Sequence, residues 1–161
     1  MYKVRPFIQS DTEQCLRIFD ENCPPFFDET ERSDFEHWLN CQGDAAQHAY
    51  TFTNKGTYVV VENETGELLG SGGYYMDIDQ TEARFAWGMI KRELQQKGIG
   101  TFLALHRIEA IKNAFPQAEI TLATSQHTYP FYAQLGFEVL DIIPSGFAPK
   151  LDKYEMKLKW N

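Results

Sequence analysis

The chain has 161 residues, of which 43% are hydrophobic and 14% aromatic, so it can form one folded domain and is not expected to be disordered. No apolar run approaches the ~18 residues of a membrane span, and the first residues lack the apolar stretch of a secretory signal. The net charge of −8 disfavours nucleic-acid binding, which needs basic surface. We expect a single cytoplasmic domain over residues 1–161, with no membrane or nucleic-acid partner.

The first third of the chain predicts one strand followed by two helices. The strand is expected at residues 3–8. Ser10 and Ser33 each stand three residues before a Glu, which is the capping-box pattern, and predict that helices start there. A proline pair at residues 24–25 would end the first helix, and Gly43 would end the second.

The rest of the chain changes from strands to an alternation of helices and strands. Three β-rich segments separated by turn residues predict an antiparallel meander. They are followed by a long apolar helix, a strand, a short helix and two more strands. This order predicts a mixed, mainly antiparallel α/β sheet of about seven strands with helices on both faces. The segments are 57–62, 68–75, 82–90, 99–114, 120–124, 128–135, 137–142 and 154–160.

A glycine turn joins the third strand of the meander to the long helix. Gly98 and Gly100 would let a ligand approach the backbone where the first N–H groups of the helix are unpaired, which suits a phosphate. The turn is not a P-loop, because no Lys-Ser or Lys-Thr follows Gly100. It is not a dinucleotide fingerprint either, because Leu103 stands where the third glycine is needed. An ordinary strand-to-helix turn would need the same glycines, so this segment alone leaves both interpretations open.

A second segment favours one family. Residues 131–137 read Phe-Tyr-Ala-Gln-Leu-Gly-Phe and lie one helix and one strand after the glycine turn. Together the two segments resemble the GCN5-related N-acetyltransferase (GNAT) family, whose motifs are Gln/Arg-x-x-Gly-x-Gly/Ala and Phe-Tyr-x-x-x-Gly-Phe. The order of elements is also similar to that family over nearly the whole chain. The resemblance implies the GNAT fold and an acetyl-CoA-dependent N-acetyltransferase.

The resemblance implies acetyl-CoA as co-substrate. No metal is expected, because His37 and Cys41 offer only two ligands and the sequence has no H-x-x-x-H pattern. The backbone at Met89, Ile90 and Lys91 would pair with the pantetheine arm. Ser125 stands where the family often has an Asn that touches the CoA arm. The pyrophosphate would lie on the glycine turn, whose candidate residues are Gln95, Gln96, Lys97, Gly98, Ile99, Gly100 and Thr101.

The resemblance also implies catalytic residues. Tyr132 is expected to lie near the co-substrate and to protonate the leaving thiolate as general acid. Some family members use a Glu as base at the position that Arg84 occupies here. Glu82 lies two residues earlier on the same strand face, so it is a candidate base or the ion-pair partner of Arg84. A reaction without a dedicated base, in which water removes the proton, also remains open.

The acceptor is expected to be a small molecule with a primary amine, in preference to the alternative of a protein N-terminus or lysine. Its predicted pocket consists of Phe26, Phe27, Tyr74, Arg84 and Trp87. Two other functions remain open at this point: a non-catalytic acyl-CoA sensor or regulatory module, and a nucleotide-phosphate binder. The sequence allows a monomer or a homodimer.

Overall fold

The computed structural model describes residues 1–42, 56–77 and 79–159, in which helices and strands follow the predicted order. The helices are α1 (Thr12–Glu21), α2 (Arg32–Asn40), α3 (Ile99–Ala114) and α4 (Tyr129–Gln134). The strands are β1 (Tyr2–Pro6), β2 (Gly56–Asn63), β3 (Leu68–Met76), β4 (Glu82–Ile90), β5 (Glu119–Thr124), β6 (Phe137–Ala148) and β7 (Leu151–Leu158).

All seven strands form one sheet, in the order β1-β2-β3-β4-β5-β7-β6. Every neighbouring pair is antiparallel except β4 and β5, which are parallel. The α3 helix is the crossover that a parallel connection needs. The predicted mixed, mainly antiparallel sheet is confirmed.

The helices cover both faces of the sheet, as the alternation of side chains in β2 shows. Val60 packs in a core cluster with Phe19 of α1 and Phe35 of α2. Val59 and Val61, on the opposite face, pack with residues of α3. Successive strand side chains point to opposite faces, so α1 and α2 lie on one side and α3 on the other.

Both predicted helix caps are wrong in position, because a 3-10 turn precedes each helix. Before α1, the Asp11 carboxylate accepts the N–H of Ile8 at 2.9 Å. Before α2, Asp28 and Glu31 cap each other's backbone N–H groups. Neither Ser10 nor Ser33 makes a cap hydrogen bond within the described residues. Carboxylates replace the hydroxyls as stronger, charged acceptors.

The C-terminal hairpin is longer than predicted. β6 continues six residues past its predicted end at Ile142, and β7 begins at Leu151 rather than Tyr154. Irregular register after Val139 and Ile143 interrupts the alternation on which the prediction rested. The predicted positions of Gly43 and Trp160 lie outside the described residues. In the described part of the chain, every helix is too short or too polar to cross a membrane.

Candidate functional site

The site begins where β4 and β5 part. The two strands pair over only three positions, Glu82–Glu119, Ala83–Ile120 and Arg84–Thr121. Beyond them, β4 runs on to Ile90 and β5 continues bonded to β7 alone. We call the space between residues 85–90 and 122–124 the β4–β5 gap. It opens into a cavity of about 820 Å³ that also reaches α3, α4 and the loop after α1.

A bulge in β4 shapes the floor of this gap. Gly73 pairs with Ala86 and Ser71 with Met89, so β4 carries one more residue than β3 between these pairs. Trp87 absorbs it with a positive φ of 51°. The buried Tyr58 hydroxyl donates to the Trp87 carbonyl at 2.8 Å, and burial raises the pKa of Tyr58, which keeps that donor protonated. The bulge is therefore held from the core side.

The glycine turn forms one end of the cavity. Gly98 caps α3 with a φ of 91°, a left-handed conformation that suits glycine. The first N–H groups of α3 have no partner within the helix, and Gln96, Gly98, Gly100 and Thr101 line the cavity. The two sequence motifs meet here, because a Cβ placed on Gly100 would lie 3.3 Å from the Phe131 ring.

Other residues that are predicted to bind the co-substrate make contacts within the protein or do not line the cavity. The Gln95 side chain lines the cavity but donates to Asn22 at the end of α1, at 2.6 Å. The Lys91 N–H donates to the Leu69 carbonyl of β3 at 2.8 Å. Ile99, the first residue of α3, is buried in a core cluster with β2 and β3 residues. The Lys91, Lys97 and Ile99 side chains do not line the cavity.

Tyr132 lies on α4 and reaches the bulge. Its ring is packed by three phenylalanines, Phe85, Phe131 and Phe137, at centroid distances of 6.4, 5.0 and 5.7 Å. Its hydroxyl lies 3.3 Å from the point that a Cβ on Gly88 would occupy. Within the described residues that hydroxyl has no hydrogen-bond partner. A free proton donor therefore faces the gap.

Ser125 supports the same helix from the end of β5. It is buried and lines the cavity. Its carbonyl accepts the N–H groups of Thr128 and Tyr129, and its hydroxyl oxygen accepts the N–H of His127. The hydroxyl proton of Ser125 remains available to a ligand.

An aromatic wall closes the side that faces α1 and α2. Phe26, Phe27 and Trp87 all line the cavity. Phe27 and Trp87 lie 6.1 Å apart between ring centroids, and Phe26 makes an edge contact with His127. This side of the cavity suits an apolar or cationic group.

Three further predicted site residues, from the catalytic and acceptor-binding sets, lie outside the cavity lining. Tyr74 is buried beneath α3, and its neighbour Tyr75 lines the cavity instead. Arg84 donates twice to Glu155 on β7 at 2.7 Å, and Glu82 accepts a hydrogen bond from Thr121 on β5. Glu82 and Arg84 are thus joined through Thr121, where β4 and β5 are still paired. The positions of all three do not match a direct role at the cavity.

Sequence reasoning missed two charged residues that line the cavity. Glu31 is the only carboxylate among the described lining residues, and burial raises its pKa against the opposing effect of the Asp28 N–H. Arg107 of α3 is 3% exposed and also lines the cavity. The capping-box spacing of Asp28 and Glu31 was available in the sequence, whereas nothing local distinguishes Arg107 from a surface arginine.

Comparison with known proteins identifies the family. Residues 26–158 match the family model described as the acetyltransferase (GNAT) domain. The solved structures that resemble this chain include a protein from Desulfovibrio desulfuricans assigned to the GNAT acetyltransferases, at a TM-score of 0.78 and 16% identity, covering 99% of both chains.

Two further structures share the fold. The ribosomal-protein-S18-alanine N-acetyltransferase from Escherichia coli matches at a TM-score of 0.73 and 16% identity, over 98% of this chain and 93% of that one. A chimeric spermidine N-acetyltransferase whose sources include Vibrio cholerae matches at 0.73 and 16%, over 98% and 94%. The match to the domain model covers most of the chain, so the resemblance expected from the two motifs is confirmed. This chain is an acyltransferase and belongs to the GNAT acetyltransferase family.

Proposed function

We propose that this acyltransferase moves an acetyl group from acetyl-CoA to the primary amine of a small molecule, by direct attack of the amine on the thioester. The observation that carries the proposal is the β4–β5 gap, which opens into the same cavity as the first turn of α3. The gap offers backbone groups to an amide-containing arm, and the helix turn offers N–H groups to a pyrophosphate. Acetyl-CoA carries both chemistries in one molecule.

The lining residues fit acetyl-CoA. Beyond Arg84, the edge of β4 that faces β5 has no strand partner among the described residues. The Ile90 carbonyl already accepts hydrogen bonds from the Asn22 and Gln95 side chains, so the pantetheine arm would pair with the remaining backbone groups around Met89 and Ile90. The N–H groups at residues 98–101 would hold the pyrophosphate, and Gln96 and Ser125 would add polar contacts along the arm. When bound, the co-substrate supplies an acetyl group activated as a thioester.

Tyr132 is the proposed general acid. Its hydroxyl has no competing partner in the described part of the chain and faces the bulge at Gly88. The three phenylalanines around its ring hold it in one orientation, which reduces the loss of side-chain freedom during the reaction. Proton donation by a positioned side chain typically accelerates such a step by ~10²–10⁴-fold.

No dedicated base is assigned. The carboxylate of Glu82 already accepts a hydrogen bond from Thr121 at the paired end of the strands, away from the cavity lining. Water in the open cavity is the proposed acceptor of the ammonium proton. Glu31 lies on the aromatic side, where a carboxylate and aromatic rings together favour a cationic acceptor.

The first experiment is a thermal-shift comparison of acetyl-CoA, CoA, ATP and NAD, followed by thiol release with a panel of amines. A ligand at 100 times its Kd stabilises the folded state by about 2.7 kcal/mol, a rise of several degrees in Tm at this size. We expect both CoA species to raise Tm and NAD not to. At least one small amine should then release free thiol from acetyl-CoA.

Three outcomes would contradict the proposal. The absence of a shift with either CoA species would make the glycine turn purely structural. A shift without thiol release for any amine would favour a binding module that senses acyl-CoA. A shift with ATP or NAD alone would favour a nucleotide-phosphate binder.

A further inference from the structure

Arg107 is a buried cation without a counter-charge in the described part of the chain. Its Nη1 donates to the Gly73 carbonyl at 3.2 Å, and its guanidinium carbon lies 3.9 Å from the centre of the Phe85 ring. Its Nε is buried and has no hydrogen-bond partner in the described structure. Among the described residues, no Asp or Glu forms an ion pair with it. Because Arg107 is only 3% exposed and its Nε is fully buried, bulk water supplies little of the missing interaction.

Two glycines of the sheet leave space for this guanidinium. A Cβ on Gly72 would lie 3.0 Å from Arg107 Cζ, and a Cβ on Gly88 would lie 3.0 Å from Nη2. Side chains at these two positions would displace the group, so glycines on β3 and β4 make room for it. The placement is therefore specified by three residues far apart in sequence.

A buried charge is normally paired, because desolvation is costly and one ring and one carbonyl compensate it only in part. The position of Arg107 makes sense if an anion joins it during function. Arg107 also lines the cavity, so such an anion can reach it from the gap.

The neighbours of Arg107 identify the anion. Its Nη2 and the Tyr132 hydroxyl both lie close to one point, the position of a Cβ on Gly88, at 3.0 and 3.3 Å. Both side chains contact Phe85, which packs on the α3 face of the sheet. A carboxylate on the acceptor would enter along the aromatic wall on the opposite face. The charges that form beside Tyr132 are those on the leaving sulfur and on the phenol oxygen once its proton has gone.

We propose that Arg107 stabilises the negative charge that develops on the sulfur and on Tyr132 during acyl transfer. The inference rests on the proposed function. The amine nitrogen forms a bond to the acyl carbon, and the carbon–sulfur bond breaks with its electron pair on sulfur. Tyr132 gives its proton to the sulfur, and the ammonium proton passes through water to restore the phenol. Arg107 keeps its proton throughout.

The test compares the unaltered enzyme with Arg107→Met, which removes the charge at similar volume, and Arg107→Lys, which keeps it. Two measurements do not depend on turnover. Thermal unfolding of the ligand-free protein reports the cost of the buried charge. Ultraviolet absorbance of the thiolate in the CoA complex, followed against pH, reports the ionisation of the bound thiol. The titratable and charged groups lining the cavity are Glu31, Tyr75, Arg107, His127 and Tyr132.

We expect Arg107→Met to melt at a temperature no lower than that of the unaltered enzyme, because it removes an uncompensated charge. The bound thiol should ionise about one pH unit higher in this variant, a tenfold change in the ionisation constant. The kcat should fall about 10²-fold with little change in the KM for acetyl-CoA. Arg107→Lys should retain most of the thiol shift.

A lower melting temperature for Arg107→Met with unchanged kcat and thiol ionisation would make Arg107 a structural residue and overturn the inference. Failure of Arg107→Met to fold would contradict the stability expectation directly. If CoA did not bind the unaltered enzyme at all, the proposed function would fail and the inference with it. If CoA bound and transfer occurred but both variants matched the unaltered enzyme, the inference alone would fail.

Discussion

Two arginines lie in different parts of the β4–β5 region. We call the paired positions 82–84 and 119–121 the closed half, and the β4–β5 gap the open half. Arg84, in the closed half, meets Glu155 through two hydrogen bonds of 2.7 Å. Arg107, in the open half, meets a ring, one carbonyl and two glycines. The arginine where the strands pair therefore has a carboxylate partner, whereas the arginine where they part lacks hydrogen-bond partners for some of its N–H groups.

The degree of burial makes this difference informative. The side chain of Arg84 is 24% exposed, whereas Arg107 is 3% exposed as a residue. The more deeply buried cation is therefore the less compensated one, which is the reverse of what folding stability would favour. Arg84 has a partner that stabilises the fold in the closed half, and Arg107 lacks one in the half where we propose that the co-substrate binds.

The largest expected effect is in the open half, at Tyr132. Tyr132→Phe should lower kcat about 10²-fold, about 2.7 kcal/mol, because the leaving sulfur loses its proton donor. The thermal shift produced by CoA should keep its size, since the hydroxyl is not needed for binding. Steady-state kinetics with an active amine and a parallel CoA titration measure both.

Tyr129→Phe is the matched control for this change. Tyr129 lies on the same helix but stacks on Tyr154 at 4.3 Å, outside the cavity lining. We expect it to keep full turnover. Equal rates for both variants would show that Tyr132 is packing alone and would remove the acid from the mechanism.

An intermediate effect on stability is expected in the closed half. Arg84→Met would leave the Glu155 carboxylate partly buried without its main partner, so the free energy of unfolding should fall by ~1–3 kcal/mol. Urea denaturation measures this loss. No such loss is expected for Arg107→Met, so the pair of variants tests the comparison directly.

Arg32→Met supplies the reference for an exposed pair. Its partner Asp20 and its own side chain are 51% and 43% exposed, so the loss should stay below about 1 kcal/mol. If Arg84→Met kept its stability but raised the KM for the acceptor, Arg84 would be a binding residue, as the sequence predicted.

The smallest expected effect is at the edge of the open half, at Gly98. Gly98→Ala places an L-residue at a φ of 91°, which should cost ~1–2 kcal/mol in unfolding free energy. It should also weaken CoA binding by roughly fivefold to tenfold, because the N–H groups of the turn shift. Calorimetric titration with CoA measures the affinity.

Gly66→Ala separates the two consequences. Gly66 has a φ of 86° and lies in the turn after β2. At Gly66, as at Gly98, an added Cβ would have no described atom within 4 Å, so backbone strain alone sets the cost. The stability loss should match that of Gly98→Ala, and CoA affinity should not change. A loss of affinity in neither variant would mean that the glycine turn does not hold the pyrophosphate.

Much of the fold could be predicted from the sequence because its signals are local. The β-rich segments and the apolar α3 were recognisable from spacing alone, and short turns join the neighbouring pairs β2–β3, β3–β4 and β6–β7. The caps could not be placed, because Ser33 offers the same capping-box spacing as Asp28, and spacing alone does not show that a 3-10 turn precedes each helix. The extension of β6 depends on pairing with β7 over an irregular register, which is not a local property.

The candidate site divides in the same way. The glycine turn and Tyr132 stand in short motifs, so the sequence could indicate them. The sequence could not indicate Arg107 of α3 as a site residue, because Gly72 of β3 and Gly88 of β4 form its surroundings. The sequence named Tyr74 and could not indicate Tyr75, because the face of β3 that meets the cavity is set by long-range packing.

The three-pair contact between β4 and β5 also has a mechanical meaning. It is the shortest strand contact that separates two parts of the sheet, β1–β4 and β5–β7. The contacts on either side of it, β3–β4 and β5–β7, pair more residues. A ligand arm that lies between β4 and β5 would connect these two parts of the sheet and stabilise their contact. Resistance of this enzyme to proteolysis would then rise and fall with the supply of its own co-substrate.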